Sequence, residues 1–161
     1  MVRSWPRLAV CVGITAAGAV LGGLASRDAA SFYASLQLPA WAPPGNVFGP
    51  VWSVLYLMMA IAFYRIQVAG PPQGRTAPTA LFVVQLAANA LWSWLFFAWH
   101  RGASAMLDIS VLWILIIATI MAFRRRDALA AWLMVPYLGW VCFAAALNFA
   151  VWRLNPAALA G

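Results

Sequence analysis

The sequence predicts an all-α integral membrane protein, a bundle of five transmembrane helices with a lid-like loop between the first two, on three observations. Of its 161 residues 66% are hydrophobic and only 8% charged, a balance foreign to water-soluble domains. Five runs with at most one charge each reach about 18 residues or more, enough at about 1.5 Å rise per residue to approach the roughly 30 Å of a hydrocarbon core. The ten cationic side chains, all arginine, fall between or at the edges of those runs.

The first run spans Leu8 to Ala25. Arg3 and Arg7 precede it and Gly23-Leu24-Ala25 looks like a cleavage site, but its core is long for a signal peptide, so it is read as a retained helix. The second runs from Val47 to Tyr64, the third from Ala77 to Trp99, the fourth from Gly102 to Phe123 and the fifth from Ala128 to Trp152. The fourth carries one charge, Asp108. The fifth contains Pro136, expected to bend the helix and free a backbone carbonyl. Together they form a single domain spanning the chain.

Orientation follows from the arginines, which accumulate on the cytoplasmic side. One face collects Arg3, Arg7, Arg65, Arg75, Arg124, Arg125 and Arg126; the other holds Arg27, Arg101 and Arg153. The N-terminus is therefore expected inside and the C-terminus outside, which in a bacterial inner membrane means the periplasm. The net charge of +7 is read as this topology signal and not as a nucleic-acid-binding surface.

The short turns near residues 100 and 125 make the last three spans antiparallel neighbours. The connection from Ser26 to Asn46 is too rich in Phe32, Tyr33, Leu36, Leu38 and Trp41 for a solvated linker and is expected to fold over the helix ends as a lid. Gly70 to Pro78 reads as an ordinary flexible connector.

Polar and amphipathic aromatic side chains inside a bilayer are costly unless they face protein or a cavity, so their helical phase points to a site. On the third span Gln85, Asn89, Trp92 and Phe96 share one face; on the second Trp52 and Tyr56 are a turn apart; on the fifth Trp140, Ala144, Leu147 and Asn148 align. With the N-terminus inside, Trp52, Tyr56, Asn89, Trp92, Ala144, Leu147 and Asn148 are assigned to the outer half, beneath the aromatic loop. The expectation is an aromatic cavity bearing two or three amides, ringed by Arg27, His100, Arg101 and Arg153, suited to a flat hydrophobic ligand with acidic edges. Amides that merely bridge neighbouring helices and tryptophans of an interfacial belt are the competing structural explanation for each residue singly. Agreement across three spans favours the cavity.

Other features are read structurally. Asp108, one turn after Ser104 and two after Arg101, is expected to form an ion pair at the rim. His100 is taken as a solvated turn residue. Gly18 and Gly22 mark close helix packing, either within the protomer or across a dimer. Cys11 and Cys142 are isolated packing residues, and no metal-ligand cluster, carboxylate pair or nucleophilic triad is present in the sequence.

The residues also carry a resemblance. Phe32-Tyr33-Ala34-Ser35-Leu36-Gln37-Leu38-Pro39-Ala40-Trp41-Ala42-Pro43-Pro44, then Val47-Phe48-Gly49-Pro50-Val51-Trp52 with Leu55-Tyr56, is similar to the signature of the TspO/MBR family. These are the translocator or tryptophan-rich sensory proteins, related to the peripheral-type benzodiazepine receptor. Gln85-Leu86 with Asn89, Trp92 and Phe96-Phe97, and Pro136-Tyr137-Leu138 with Trp140, Phe143-Ala144, Leu147-Asn148 and Trp152-Arg153, supply two further blocks.

The resemblance implies a five-helix bundle, commonly a homodimer, that binds tetrapyrroles such as protoporphyrin IX and haem as ligands, with no obligatory cofactor. It implies a role in porphyrin transport, sensing or regulation of tetrapyrrole metabolism. By matching position its ligand-binding residues would be Trp41, Trp52, Tyr56, Gln85, Asn89, Trp92, Trp140, Ala144, Leu147 and Asn148. Trp52 and Trp140 match the tryptophans linked to light-dependent porphyrin degradation, the enzyme-class alternative; a secondary transporter of another hydrophobic ligand is the other. The stretch Leu147 to Arg153 matches the family's sterol motif except that Phe149 stands where an aromatic hydroxyl is expected.

Overall fold

Lipid offers no hydrogen-bond partners, so an apolar chain crossing it must satisfy its backbone internally, and this one does so in helices. A computed structural model describes residues 5–160. Its helices are α1 (Trp5–Ala25), the short α2 (Ala29–Ser35), α3 (Phe48–Val68), α4 (Thr76–Ser93), α5 (Gly102–Arg124) and α6 (Ala128–Leu154). A 3₁₀ turn, Gly45–Val47, leads into α3, and a π turn, Trp94–Ala98, extends α4. Among the described residues there is no strand, only an isolated bridge between Arg101 and Ala160.

Five of these helical stretches are long and apolar enough to span a bilayer, and the protein is a multi-pass membrane protein. Their bounds differ from expectation mainly in α1, which begins at Trp5, and α3, which continues to Val68. Pro136 does not divide α6, which runs unbroken for 27 residues. The packed neighbours are α1 with α3 and α4, α4 with α5, α5 with α6, and α6 with α3, so the spans close into a ring.

Interdigitated apolar side chains fill the ring's centre. Phe63, Phe82 and Phe123, from α3, α4 and α5, stack face to face with centroids 4.3 and 6.1 Å apart. The Gly18–Gly22 pair is used inside the protomer. A Cβ on Gly18 would stand 2.5 Å from Leu86 Cγ, and one on Gly22 would lie 3.3 Å from Ser93 Oγ, so both glycines let α1 approach α4.

Polar clamps secure the arginine-rich end. Asp127 caps α6 by accepting from the Ala130 amide at 3.0 Å and pairs with Arg65 of α3 at 2.7 Å. Arg126 donates to the carbonyls of Ala69, Pro71 and Gln73, at 2.7, 2.8 and 3.0 Å. The connector expected to be freely flexible is thus tied down. Its sharp path needs left-handed backbone at Gly70 (φ 62°) and Gly74 (φ 82°), which glycine adopts without penalty. Arg3, counted in the charge asymmetry, lies outside the described residues.

At the opposite end the Ser26 to Asn46 connection contains α2, not loop alone. Tyr33 and Leu36 are buried against Phe96, Leu147 and Leu159. The Tyr33 hydroxyl donates to the Pro43 carbonyl at 3.0 Å, and burial pushes its phenol up from its ordinary pKa. Asn155, just past α6, holds the loop by two reciprocal bonds: it accepts from the Gln37 amide and donates to the Gln37 carbonyl, both at 2.8 Å. The tail then returns beneath the loop, with Leu159 buried and its carbonyl accepting from Gly102 N–H at 3.1 Å.

Candidate functional site

Every α1 residue that faces the ring near this end is small. Ala19, Gly22 and Gly23, with Ser26 just past the helix end, follow the i, i+3, i+4, i+7 spacing of one helix face, so α1 leaves space instead of filling it. The result is a cavity of about 340 Å³ walled by that stripe, by Trp52 and Tyr56 of α3, by Asn89, Trp92 and Ser93 of α4, and by Trp140 and Ala144 of α6. Ala29, Ala30 and Tyr33 bring α2 and its flank onto the wall.

Aromatic faces dominate. Trp52 lies 5.7 Å from Tyr56 and 6.1 Å from Tyr137, ring centroid to centroid. Trp140 packs edge-on to Phe48 at 5.9 Å. Its indole Nε1 is buried and has no hydrogen-bond partner among the described residues. A chain of polar groups runs behind this wall: Tyr56 hydroxyl donates to Asn89 Oδ1 at 2.8 Å, and Asn89 Nδ2 donates to the Tyr137 hydroxyl at 3.0 Å. The amide of Asn89 is thereby fixed in orientation by two tyrosines from different helices.

Of the ten residues expected at a site, six meet on this cavity: Trp52, Tyr56, Asn89, Trp92, Trp140 and Ala144. Four lie off its wall. Trp41 is half exposed on the outer surface of the loop and packs edge-on to Phe143 at 5.8 Å. Leu147 is buried with Tyr33 and Leu36. Asn148 works as a bridge between helices, accepting from Trp92 Nε1 at 3.2 Å and donating to the Gly102 carbonyl at 3.4 Å. Gln85 is fully buried one turn below Asn89, and neither of its amide atoms has a partner among the described residues.

Sequence phase missed Tyr137, the α1 stripe and Phe97. Tyr137 sits on the far side of Asn89 with its ring wholly buried. Of the stripe, only Gly22, paired with Gly18, is assigned a packing role from the sequence. Phe97 reaches the wall because the π turn adds a residue to the helical repeat, so it takes the position a regular helix would give Phe96. Phe96 instead stacks on Trp92 at 5.5 Å and is buried.

Two rim expectations are corrected. Asp108 makes no ion pair with Arg101: the one salt bridge among the described residues is Arg65–Asp127, and Asp108 Oδ2 is buried and unpartnered. Arg101 stands before the first turn of α5 with non-helical backbone (φ −101°, ψ 81°), so the two-turn spacing does not bring it over Asp108. His100 is not a free turn residue. It adopts φ 54°, closing the end of the π turn, and its ring stacks on Phe32 of α2 at 4.0 Å. A second cavity, of about 530 Å³, opens there on the other flank of α2 beside Arg27, Asp28, Ser31 and Phe97.

Comparison with known proteins meets this geometry at the level of the whole chain. The TspO/MBR family profile matches residues 10–153, from the second turn of α1 to the last turn of α6. The chain belongs to the TspO/MBR family. It is 38% identical over 151 residues to the tryptophan-rich protein TspO of Chlorobaculum tepidum, covering 92% of this chain and 96% of that one. It is 36% identical over 156 residues to the tryptophan-rich sensory protein of Cereibacter sphaeroides, covering 96% and 95%. With the translocator protein of Sus scrofa the identity is 37% over 150 residues, covering 89% of each. Every wall residue of this TspO/MBR protein's cavity lies inside the matched segment.

Proposed function

We propose that this TspO/MBR protein binds a tetrapyrrole, protoporphyrin IX or haem, in the aromatic cavity, and acts in porphyrin transport, sensing or the regulation of tetrapyrrole metabolism. The observation that carries the reading is the convergence of Trp52, Trp92 and Trp140, from three different spans, on one cavity that also offers Asn89 and Tyr56. Flat indole faces suit a planar macrocycle, and the unpartnered Trp140 Nε1–H is a donor beside it. Arg27, on the adjoining cavity, is a counter-charge for propionates. At about 340 Å³ the chamber is small for such a ring, but α2 separates it from the second cavity, and displacement of that seven-residue helix would join the two.

The proposal places the protein in a bacterial inner membrane with its N-terminus cytoplasmic, on the arginine asymmetry, and as a homodimer. Any dimer face must avoid Gly18 and Gly22, which α4 covers. Transport coupled to an ion at Asp108 is less well supported, because that carboxylate is not on the cavity wall.

Titration of protoporphyrin IX into the detergent-solubilised protein, followed by tryptophan fluorescence and by the porphyrin absorption band, tests the reading. Saturable quenching is expected, with affinity reduced when Trp52 and Trp140 are both replaced by Phe. Saturable binding that this double substitution leaves unchanged would remove the ligand from the cavity.

A further inference from the structure

At the arginine-rich end, away from the aromatic chamber, a third cavity of about 280 Å³ lies between α1, α3 and α4. Its lining is graded. Arg7, Gln67 and Thr79 stand at the mouth, with Gln67 Nε2 donating to Thr79 Oγ1 at 2.8 Å. Cys11, Ile14 and Phe63 form the deeper, wholly apolar part. From Arg7 to Ile14 helix α1 rises about 10 Å, so the polar mouth and the apolar floor are separated along the bilayer normal.

The mouth is strongly and one-sidedly charged. Arg75 lies one turn outward from Thr79, whose amide donates to the Arg75 carbonyl at 3.0 Å. Arg75 Nη2 donates to the Gly70 carbonyl at 2.6 Å, between the Ala69 and Pro71 carbonyls that hold Arg126, and loss of hydration with the positive charges of Arg7 and Arg126 lowers the proton affinity of its guanidinium. Among the described residues none of the three pairs with a carboxylate. The N-terminus of the 18-residue α4 opens at the same place and adds the positive end of its dipole.

We propose that this groove is a binding site for one anionic phospholipid of the leaflet at this end, its phosphate held at Arg7 and Arg75 and one acyl chain laid between α1 and α3. The gradient from cation to hydroxyl and amide to apolar wall follows the order of groups in such a lipid. A zwitterionic lipid brings its own cation to the mouth and meets repulsion there. A free phosphate satisfies the arginines but leaves the apolar floor unused. The site is independent of the tetrapyrrole reading, because it shares no wall residue with the aromatic cavity.

Native mass spectrometry of the full chain, released from neutral detergent after exposure to mixed phosphatidylglycerol and phosphatidylcholine, counts retained lipid. One retained phosphatidylglycerol per chain is expected, in clear excess over phosphatidylcholine. The double variant R7Q/R75Q should lower that retention about thirtyfold, the combined effect of two basic residues at a membrane surface. R124Q/R125Q, which removes the same charge from the same end, should leave it unchanged. Val10→Phe, at an exposed wall position of the groove, should lower retention with all arginines intact. Equal loss in the two arginine double variants, or full competition by inorganic phosphate, would overturn the proposal.

Discussion

Gly23→Phe separates the occupancy of the aromatic cavity from the stability of the bundle. Gly23 lies on the cavity face of α1, and a Cβ there meets no heavy atom within 4 Å. Its backbone is not among the positive-φ positions, so a side chain brings no conformational strain. Exchanging glycine for phenylalanine inside a helix gains about 0.5 kcal/mol in propensity. The seven added carbons take up roughly 100 Å³ on the scale of a liquid water's ~30 Å³. The cavity of about 340 Å³ then falls below the ~300 Å³ at which ligand pockets begin. Unfolding temperature in detergent should be unchanged or slightly raised. Affinity for protoporphyrin IX should fall by about tenfold or more, equivalent to at least ~1.4 kcal/mol. Undiminished affinity in a variant of unchanged stability would refute the assignment of the ligand to this cavity.

Three further outcomes follow from the clamps. Asn89→Leu leaves the Tyr56 and Tyr137 hydroxyls without their shared amide and should destabilise the protein by about 1–3 kcal/mol per orphaned buried group, read by thermal unfolding; Tyr137→Phe alone should cost less. For Asp127, burial works to raise the carboxyl pKa, but the Ala130 amide and the Arg65 guanidinium more than offset it and hold it below the ordinary carboxylate range. Its contribution to stability is therefore complete above the unfolded pKa of ~3.9 and is lost as pH falls through the lower folded value; Asp127→Asn should flatten acid unfolding in that window. Asn155→Ala should raise amide hydrogen exchange around Gln37 and speed ligand association and release, while equal exchange in both proteins would show that this residue does not hold the loop.

The five spans were legible because a bilayer imposes length and hydrophobicity on each helix independently of its neighbours, and ends drawn from polarity alone erred by a few residues, chiefly at Trp5 and Val68. The phase of Trp52, Tyr56, Asn89, Trp92, Trp140 and Ala144 was legible because large amphipathic side chains are expensive in lipid and turn inward together. What escaped was information carried by what is small or irregular. Ala19, Gly22 and Gly23 carry at most a methyl group to announce a role, although their smallness is what keeps α1 from closing the chamber. The π turn at Trp94–Ala98 breaks the periodicity that the phase reading relied on, so Phe97 and Phe96 exchanged roles. Asn148, one turn past Ala144, was expected on the cavity wall, but the carbonyl of Gly102 and the indole of Trp92 use up its amide.

The two ends of the bundle are built on opposite logic, and that difference bears on how a ligand enters. At the arginine-rich end Arg126 binds three carbonyls and Arg65 pairs with Asp127, so the connectors are fixed by charged groups that cost much to separate. At the other end the connection carrying α2 is fixed to the tail by the neutral amide of Asn155 and by apolar contacts of Tyr33 and Leu36. Neutral hydrogen bonds contribute about 0.5–1.5 kcal/mol each, roughly half of what charge-assisted ones do. Opening of the molecule is therefore cheapest at α2, which lines both larger cavities. If a tetrapyrrole binds as proposed, a weakly held cover over the aromatic chamber, on a frame locked at the far side, gives it a path past α2 that leaves the five spans undisturbed.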